Sequence, residues 1–376
     1  MLRIGTAAFR APIEGGTVRI PMSILKKSTA VFCAAALGAT ALFGCTAPAE
    51  SSDGAASQDQ AQEDEDRTVV DMRGDEITVP ADTSTVLTVN SVATQMVLML
   101  GGEDAAATMG KGFNYGEGSL NASMFPGLAD VPTFSREDST VENIAAIGPD
   151  FVLEGNDDVI AQLRDAGIPA AYISVTSPET IVEAVHIIGD ALGGEADQKA
   201  QAYEDAYNEA LEDTKARTAD LSDDEKPRVL YMRSTESTTG ANSMPDSWIT
   251  AAGGINAAAE AGFDGSGAEI NAETIMNIDP DIIICESQDV VDQFLSDAAY
   301  SELAAVQSGK VYAAPFGTAV WSMGTAETLL QLSWAGTIIN PDLFSDVDLD
   351  AVTSDFYQEF FGYELSQDEL DGIFHR

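Results

Sequence analysis

Three basic residues stand out in a chain that is otherwise strongly acidic. The sequence has 18 lysines and arginines against 62 aspartates and glutamates, a formal net charge of −44. Lys111, Arg136 and Arg233 fall at predicted loop positions, where they could hold carboxylates, phosphates or an anionic metal chelate. The overall acidity argues against nucleic acid as a partner, because phosphates would be repelled.

Further candidate site residues come directly after predicted strands or in the loops beyond them. Ligands of open α/β sheets bind outside the carboxyl ends of the strands, so a site is expected there. The aromatic members of the set could stack on a planar ligand. For any single residue, solvated surface charge or local packing is the simpler explanation. Beside the three basic residues, the candidates are Asn90, Phe113, Tyr115, Glu154, Ser234, Glu286, Phe316 and Trp321.

Motifs for catalysis and for metal binding are missing from the sequence. The only histidines are His186 and His375, so a three-histidine zinc site is not available. Residues 109–112 resemble a phosphate loop only superficially, since no serine or threonine follows Lys111. No Gly-x-Ser-x-Gly elbow occurs. The sequence therefore predicts no catalytic residue, no protein metal site and no cofactor.

The elements that must position the candidates are organised around a stretch that occurs twice. Residues 142–153 and 273–284 share a glutamate, two isoleucines and a Pro-Asp pair, at an offset of 131 residues from Glu142 to Glu273. The isoleucines lie three apart and share a helix face, and proline ends that helix. The apolar triplet that follows suits a buried parallel strand. Duplication of a half-structure explains this match better than convergence does.

Strands and helices alternate on both sides of one long helical pattern, which predicts a largely parallel sheet in each half. That pattern covers residues 178–218, and Gly193-Gly194 could kink it. Residues 110–138 are rich in Gly, Asn, Ser and Pro and predict a long irregular loop. The remaining predicted elements are strands at 68–72, 76–79, 85–89, 170–174, 229–232 and 311–313, and helices at 92–100, 157–166, 248–252, 325–339 and from Ser366.

The first 66 residues are predicted to precede the fold. A pair of lysines stands before the apolar stretch 29–43, as in export signals, and the stretch leads into Leu-Phe-Gly-Cys45. This ending resembles a bacterial lipobox, in which Cys45 would be lipidated and would anchor the protein to a membrane. A secretory signal with an incidental cysteine is the alternative. The predicted segments are a lipoprotein signal peptide at 1–44 and a flexible acidic tether at 45–66.

Together these features resemble the helical-backbone class of substrate-binding proteins, which serve ABC importers for iron–siderophores, haem, cobalamin and related compounds. The resemblance covers roughly residues 67–376, and its most specific parts are the two Glu-x-Ile-x-x-Ile-x-Pro-Asp copies. Ser308 to Tyr312 and Phe356 to Gly362 also look like this family. It implies an α/β fold of two Rossmann-like lobes, 67–177 and 219–376, joined by one long connecting α-helix, 178–218, with the ligand cleft between the lobes.

The resemblance also implies a function. A monomer would capture a small-molecule metal chelate outside the cytoplasm and deliver it to an ABC permease and its ATPase. An iron(III) complex of the siderophore or haem type is the expected ligand, and cobalamin or molybdate is the alternative. In the family a glutamate of each lobe docks onto permease arginines, and Glu142 and Glu273 match those positions. A local role is compatible with this, because Ser139 could form a capping box with Glu142, and Asn271 could cap the second helix.

Two other functional classes stay open at this point. One is a secreted α/β enzyme with its active site between the lobes, using Glu154 or Glu286 as acid or base. No nucleophile paired with a base is visible to support it. The other is a surface receptor or adhesin that binds without transport, and the paired glutamates argue against it.

Overall fold

The computed structural model describes residues 66–376, and the predicted signal peptide, most of the tether and Cys45 lie outside that range. The described chain forms two α/β lobes whose sheets are separate. The first lobe contains β1 Arg67–Val70, β2 Glu76–Val79, β3 Val86–Thr88, α1 Ser91–Met99, β4 Met109–Gly110, α2 Leu120–Met124, β5 Thr133–Phe134, α3 Val141–Ile147, β6 Phe151–Glu154, α4 Asp157–Asp165, β7 Ala170–Tyr172 and α5 Pro178–Leu192.

The second lobe follows the 24-residue helix α6, Glu195–Thr218. Its strands are β8 Arg228–Ser234, β9 Ser237–Thr239, β10 Ile255–Asn256, β11 Ser266–Glu269, β12 Ile282–Cys285 and β13 Val311–Ala313. Its helices are α7 Met244–Ala251, α8 Ala257–Glu260, α9 Ala272–Ile278, α10 Gln288–Ser296, α11 Ala304–Gln307, α12 Thr328–Ile339, α13 Leu349–Phe356 and α14 Gln367–Ile373, with a π-helical segment at Tyr357–Phe361.

Parallel strands form the centre of both lobes, as predicted. The first sheet has the order β3-β6-β7, and the second has the order β11-β9-β8-β12-β13. Isolated bridges from Val86 to Ala106 and from Asn90 to Lys111 lead from β3 toward the β4–β5 pair. The predicted irregular stretch 110–138 is more ordered than expected, because it contains α2 and β5. Within residues 66–376, no helix combines the length and apolar character needed to cross a membrane.

The repeated stretch occupies equivalent places in the two lobes. α3 leads into β6 and α9 leads into β12, and each of these strands lies between two parallel neighbours. Both helices end at a left-handed residue, Gly148 with φ 70° and Asp279 with φ 44°. The apolar residues of both strands are buried, as their sequences predicted. The one difference on the helix face is Ile147, which is exposed where its counterpart Ile278 is buried.

The aspartate of each Pro-Asp pair ties its strand to a neighbouring strand. Asp150 Oδ2 accepts a hydrogen bond from Ser84 N at 2.9 Å, and Asp281 Oδ2 accepts one from Arg228 N at 2.8 Å. In return, the N–H of Asp150 donates to Thr85 O at 2.8 Å and that of Asp281 to Arg228 O at 2.9 Å. This reciprocal pairing gives a physical reason for an aspartate in both copies.

Residues 178–218 form two helices instead of the single predicted one. Gly193 and Gly194 adopt φ angles of 70° and 62°, which glycine reaches without a steric penalty and which a helix cannot contain. In one straight helix, residues 18 apart would be separated by about 27 Å. His186 Nε2 instead lies 2.8 Å from Glu204 Oε2, so α6 folds back along α5. The predicted extent of the connecting helix was therefore wrong: α6 alone connects the lobes.

One hydrophobic core runs through both lobes. Its buried cluster contains Leu153 of β6 and Tyr231 of β8, together with Tyr203 of α6 and Trp334 of α12. The hydroxyl of Tyr203 donates to Ala326 O at 2.9 Å. α6 therefore joins the lobes through packing against the helices of the second lobe.

Because the two aspartates make matching contacts, removing either should cost a similar amount of stability. We expect Asp150→Ala and Asp281→Ala each to lower the free energy of unfolding by about 1 kcal/mol, the usual net value of a hydrogen bond. Urea-induced unfolding followed by circular dichroism measures the change. The exposed Asp342→Ala is the control. An aspartate variant as stable as this control would contradict the pairing described above.

Candidate functional site

A buried carboxylate lies where the lobes meet. Glu327, directly before α12, is fully buried. Its Oε2 accepts from Gln95 Nε2 of α1 at 2.7 Å, and from Thr318 Oγ1 and Ala319 N at 2.9 Å. Its Oε1 accepts from Thr318 N at 3.0 Å and from the Tyr357 hydroxyl. Burial raises the pKa of Glu327, and the hydrogen bonds from Tyr357 and from the backbone of Ala319 and Thr318 oppose that rise.

Gln95 and Asn121 complete this junction from the first lobe. Gln95 Oε1 accepts from Ala326 N at 2.8 Å, so both ends of its amide contact the second lobe. Asn121 Nδ2 donates to Thr318 O at 2.8 Å. Gly317 is required beside them, because a Cβ there would lie 2.0 Å from Tyr357 Oη and 2.1 Å from Glu327 Oε1. The loop after β13 is thus fixed between the lobes. No pattern in the sequence indicated these contacts.

Two of the three predicted basic residues are paired with carboxylates. Lys111 Nζ lies 3.2 Å from Glu137 Oε2, and both side chains are largely exposed. Arg233 Nε lies 2.9 Å from Glu286 Oε2 at the adjacent ends of β8 and β12, and this hydrogen bond raises the pKa of Arg233. Arg136 is exposed and forms no ion pair with any residue of 66–376. The positive charge available for an anion is therefore smaller than predicted.

The predicted aromatic residues lie in different environments. Phe113 and Tyr115 are half-buried against the first lobe, where the Tyr115 hydroxyl donates to a backbone carbonyl at 2.9 Å. Phe316 is 37% exposed. Trp321 is fully buried and packs edge-on against Phe374, with ring centroids 5.5 Å apart. The stacking role predicted for Trp321 is corrected accordingly, because its ring belongs to the core.

Three predicted polar residues make hydrogen bonds within their own lobe. Asn90 Oδ1 caps α1, accepting a backbone N–H at 2.8 Å. Ser234 Oγ accepts a backbone N–H two residues further on at 3.3 Å. Glu154 is buried, and its carboxylate accepts the N–H of the next residue at 2.7 Å and the hydroxyl of Ser139. All three lie at the ends of strands as predicted, but their side-chain oxygens already accept hydrogen bonds from the protein.

Glu142 and Glu273 lie at matching surface positions. Both are exposed, in the first turns of α3 and α9, and neither side chain accepts a hydrogen bond from the described part of the chain. Asn271 caps α9 as predicted, accepting a backbone N–H at 2.9 Å. α3 is capped by Thr140 at 3.2 Å, so the predicted capping box of Ser139 with Glu142 is wrong.

A cavity of about 330 Å³ opens between the lobes. The first lobe contributes residues from Asn114 to Ser123, and the second contributes Phe316, Gly317 and α14. Phe316 is the one predicted site residue in its lining. Another cavity, of about 360 Å³, lies between the end of α1 and the start of α6, beside the amino end of β3. It contains none of the predicted residues.

The periplasmic binding protein family matches residues 86–317, more than half of the 376-residue chain. The chain belongs to this family. It is 26% identical over 247 residues to the molybdate-binding protein MolA of Haemophilus influenzae, covering 59% of this chain and 69% of MolA. It is also 29% identical over 215 residues to a cobalamin-binding protein of Halobacterium salinarum, covering 55% of this chain and 55% of that protein.

The fold is shared with solved structures of this family. A periplasmic solute binding protein of Veillonella parvula superposes with a TM-score of 0.72 and 26% identity, over 83% of this chain and 97% of the other. Periplasmic binding proteins bind small-molecule solutes outside the cytoplasm for ABC transporters. The prediction of a two-lobed binding protein of this type is thus confirmed. The family match ends at residue 317, so Glu327, Tyr357 and α14 lie beyond it.

Replacing Glu327 with glutamine would keep its shape and remove one acceptor oxygen. At least two of the five donors would then be left unpaired in the core, at about 1–3 kcal/mol each. We expect Glu327→Gln to lower the free energy of unfolding by about 3 kcal/mol, measured by guanidinium-induced unfolding. The matched substitution at exposed Glu302 should change it by less than about 0.5 kcal/mol. Equal effects at the two positions would refute the role assigned to Glu327.

Proposed function

We propose that this chain is the lipid-anchored solute-binding component of an ABC importer and holds a metal complex between its lobes. The observation that carries the proposal is the matching placement of Glu142 and Glu273. Each is exposed in the first turn of the helix that leads into a central strand of its lobe. Carboxylates at equivalent places on two related lobes can pair with a partner surface that carries basic groups at two matching places. Such charge pairs steer docking and fix how the two proteins align.

The solute is proposed to be an iron(III) complex of the siderophore or haem type, with cobalamin or molybdate as the alternative. Relatives named for molybdate and for cobalamin support the general class. The cavity of about 330 Å³ is at the small end of the usual range for ligand sites, about 300–1,000 Å³. Pairing of Lys111 with Glu137 and of Arg233 with Glu286 leaves little free positive charge, which disfavours molybdate.

A binding role is also favoured over the enzyme alternative. Glu154 and Glu286, the acid–base candidates, are held by Ser139 and Arg233. The relatives described above are named as binding proteins. We therefore assign no catalytic step to the space between the lobes.

Anchoring is proposed to occur through lipidated Cys45, with the predicted tether 45–66 joining the anchor to the lobes. Two acyl chains on one cysteine are enough for stable membrane attachment. We expect Cys45→Ala to move the protein from the membrane fraction to the soluble extracytoplasmic fraction, detected by fractionation and immunoblotting. Mass spectrometry of the mature N-terminus is the accompanying measurement. An unmodified Cys45 in membrane-bound protein would disprove the anchor.

Docking through the two glutamates is tested by reversing their charge. We expect Glu142→Arg with Glu273→Arg to weaken association with vesicles carrying the cognate permease and ATPase at least tenfold, because attraction at both lobes becomes repulsion. Co-sedimentation at several salt concentrations measures this, and thermal unfolding checks the fold.

The matched control reverses two exposed glutamates on α5 and α6, Glu183→Arg with Glu212→Arg. The number of charges changed is the same, so a general effect of net charge would appear in both double variants. If the control and the Glu142/Glu273 variant associate equally well, the docking proposal fails.

A further inference from the structure

The cavity between the lobes has a wall that lies outside the family match. α14 lines it, although that match ends at residue 317. The helix is fixed to the end of β13, where Phe316 N donates to Ile373 O at 3.1 Å and His375 Nε2 lies 3.1 Å from Ala314 O. Leu370 and Ile373 of α14 are buried, so the wall is anchored by packing as well.

The ionisable residues of this lining are acidic. They are Asp368 and Glu369, in the first turn of α14, and no lysine, arginine or histidine of residues 66–376 lines the cavity. Glu369 accepts the Ser366 N–H and the Tyr363 hydroxyl, both at 2.8 Å. Burial raises the pKa of Glu369, but these hydrogen bonds outweigh burial and lower it, so the group stays charged.

Asp368 differs from Glu369 because its carboxylate is available to pair with a ligand. It is exposed, and its carboxylate accepts no hydrogen bond from the described part of the chain. A ligand in the cavity can therefore pair with it directly. An oxyanion in the same place would meet two negative charges and no compensating positive one.

Phe316 supplies an apolar surface in the same cavity. The ring is 37% exposed and lines the cavity together with Gly317. The backbone next to it is held by Glu327, which accepts the N–H groups of Thr318 and Ala319. An exposed aromatic ring attracts cations over its face.

We propose that this cavity selects a positively charged ligand and that Asp368 and Phe316 determine this specificity. The ligand class is a compact molecule or metal complex whose accessible surface carries ammonium-type or other net positive charge. The inference rests on the proposed function and narrows its solute. The net charge of −44 adds long-range attraction for such a ligand. The anionic chelate expected from the sequence is replaced by a cationic one at this cavity.

Three probes of similar shape and different charge test the inference: benzylammonium, benzyl alcohol and benzoate, with molybdate as an inorganic anion. Titrations of the full chain, followed by ligand-observed NMR, are run at ~0.15 M salt to screen non-specific attraction. We expect benzylammonium to bind about tenfold more tightly than benzyl alcohol, and benzoate and molybdate to bind more weakly than both.

Variants locate the binding. Asp368→Asn should weaken benzylammonium binding about threefold or more and leave benzyl alcohol unchanged, whereas Phe316→Leu should weaken both. Gly372 lines the cavity and has open space at its Cβ position, so Gly372→Phe should fill the cavity and abolish binding of both probes. The exposed carboxylate variant Asp342→Asn is the control and should match the wild type.

Several results would overturn the inference: no binding by any probe, equal or tighter binding of benzoate or molybdate, or equal effects of Asp368→Asn and Asp342→Asn. These results are independent of docking. If the probes show no charge preference but vesicle association still depends on the two glutamates, the transport role stands and only the ligand class is removed. If the charge preference is intact but vesicle association does not depend on Glu142 and Glu273, the ligand class stands and the docking proposal fails.

Discussion

The arrangement of the lobes depends on one buried carboxylate. Taking a carboxylate out of water costs several kcal/mol, and no cation compensates Glu327 among its partners. Five hydrogen bonds offset that cost, and they come from both lobes and from the C-terminal segment at Tyr357. Separating the lobes would leave the charge buried without its donor Gln95. Together with the continuous core around α6 and α12, these hydrogen bonds tie the two lobes to each other.

Features encoded by local sequence were predictable, and the twin motif is the clearest. Glu-x-Ile-x-x-Ile-x-Pro-Asp specifies a short helix, a stop and a buried strand through side-chain spacing and backbone restriction alone. The break at Gly193-Gly194 was harder, because a pair of glycines permits a kink, a full reversal or a continuous helix. Packing of α5 on the first lobe and of α6 on the second decides between them. The choice of Thr140 over Ser139 as a cap likewise depends on a distant partner, Glu154, which engages the Ser139 hydroxyl.

Site residues were predictable in position and much less so in role. Parallel topology places Asn90, Glu154 and Glu286 at strand ends, and they are found there. Whether a side chain remains available depends on its neighbours in space, as the Arg233–Glu286 pair shows. Trp321 is unavailable for the same reason, because Phe374 from the end of the chain covers its ring. Gln95 and Asp368 carry no local signal, because Gln95 bonds Glu327, 232 residues away, and Asp368 shares its cavity with residues Asn114 to Ser123 of the first lobe.

The C-terminal segment contributes both to the junction between the lobes and to the wall of the cavity. Residues beyond the family match supply Glu327 and Tyr357 at the junction and Asp368 in the cavity wall. The two sets meet at Gly317, whose missing side chain lets the Glu327 carboxylate approach, while Phe316 next to it lines the cavity. Thr318, two residues further on, donates its N–H to Glu327 within the second lobe and accepts the Asn121 amide of the first lobe at its carbonyl oxygen. The cavity wall at Phe316 and the contacts that Thr318 receives from Gln95 and Asn121 of the first lobe thus belong to one short loop.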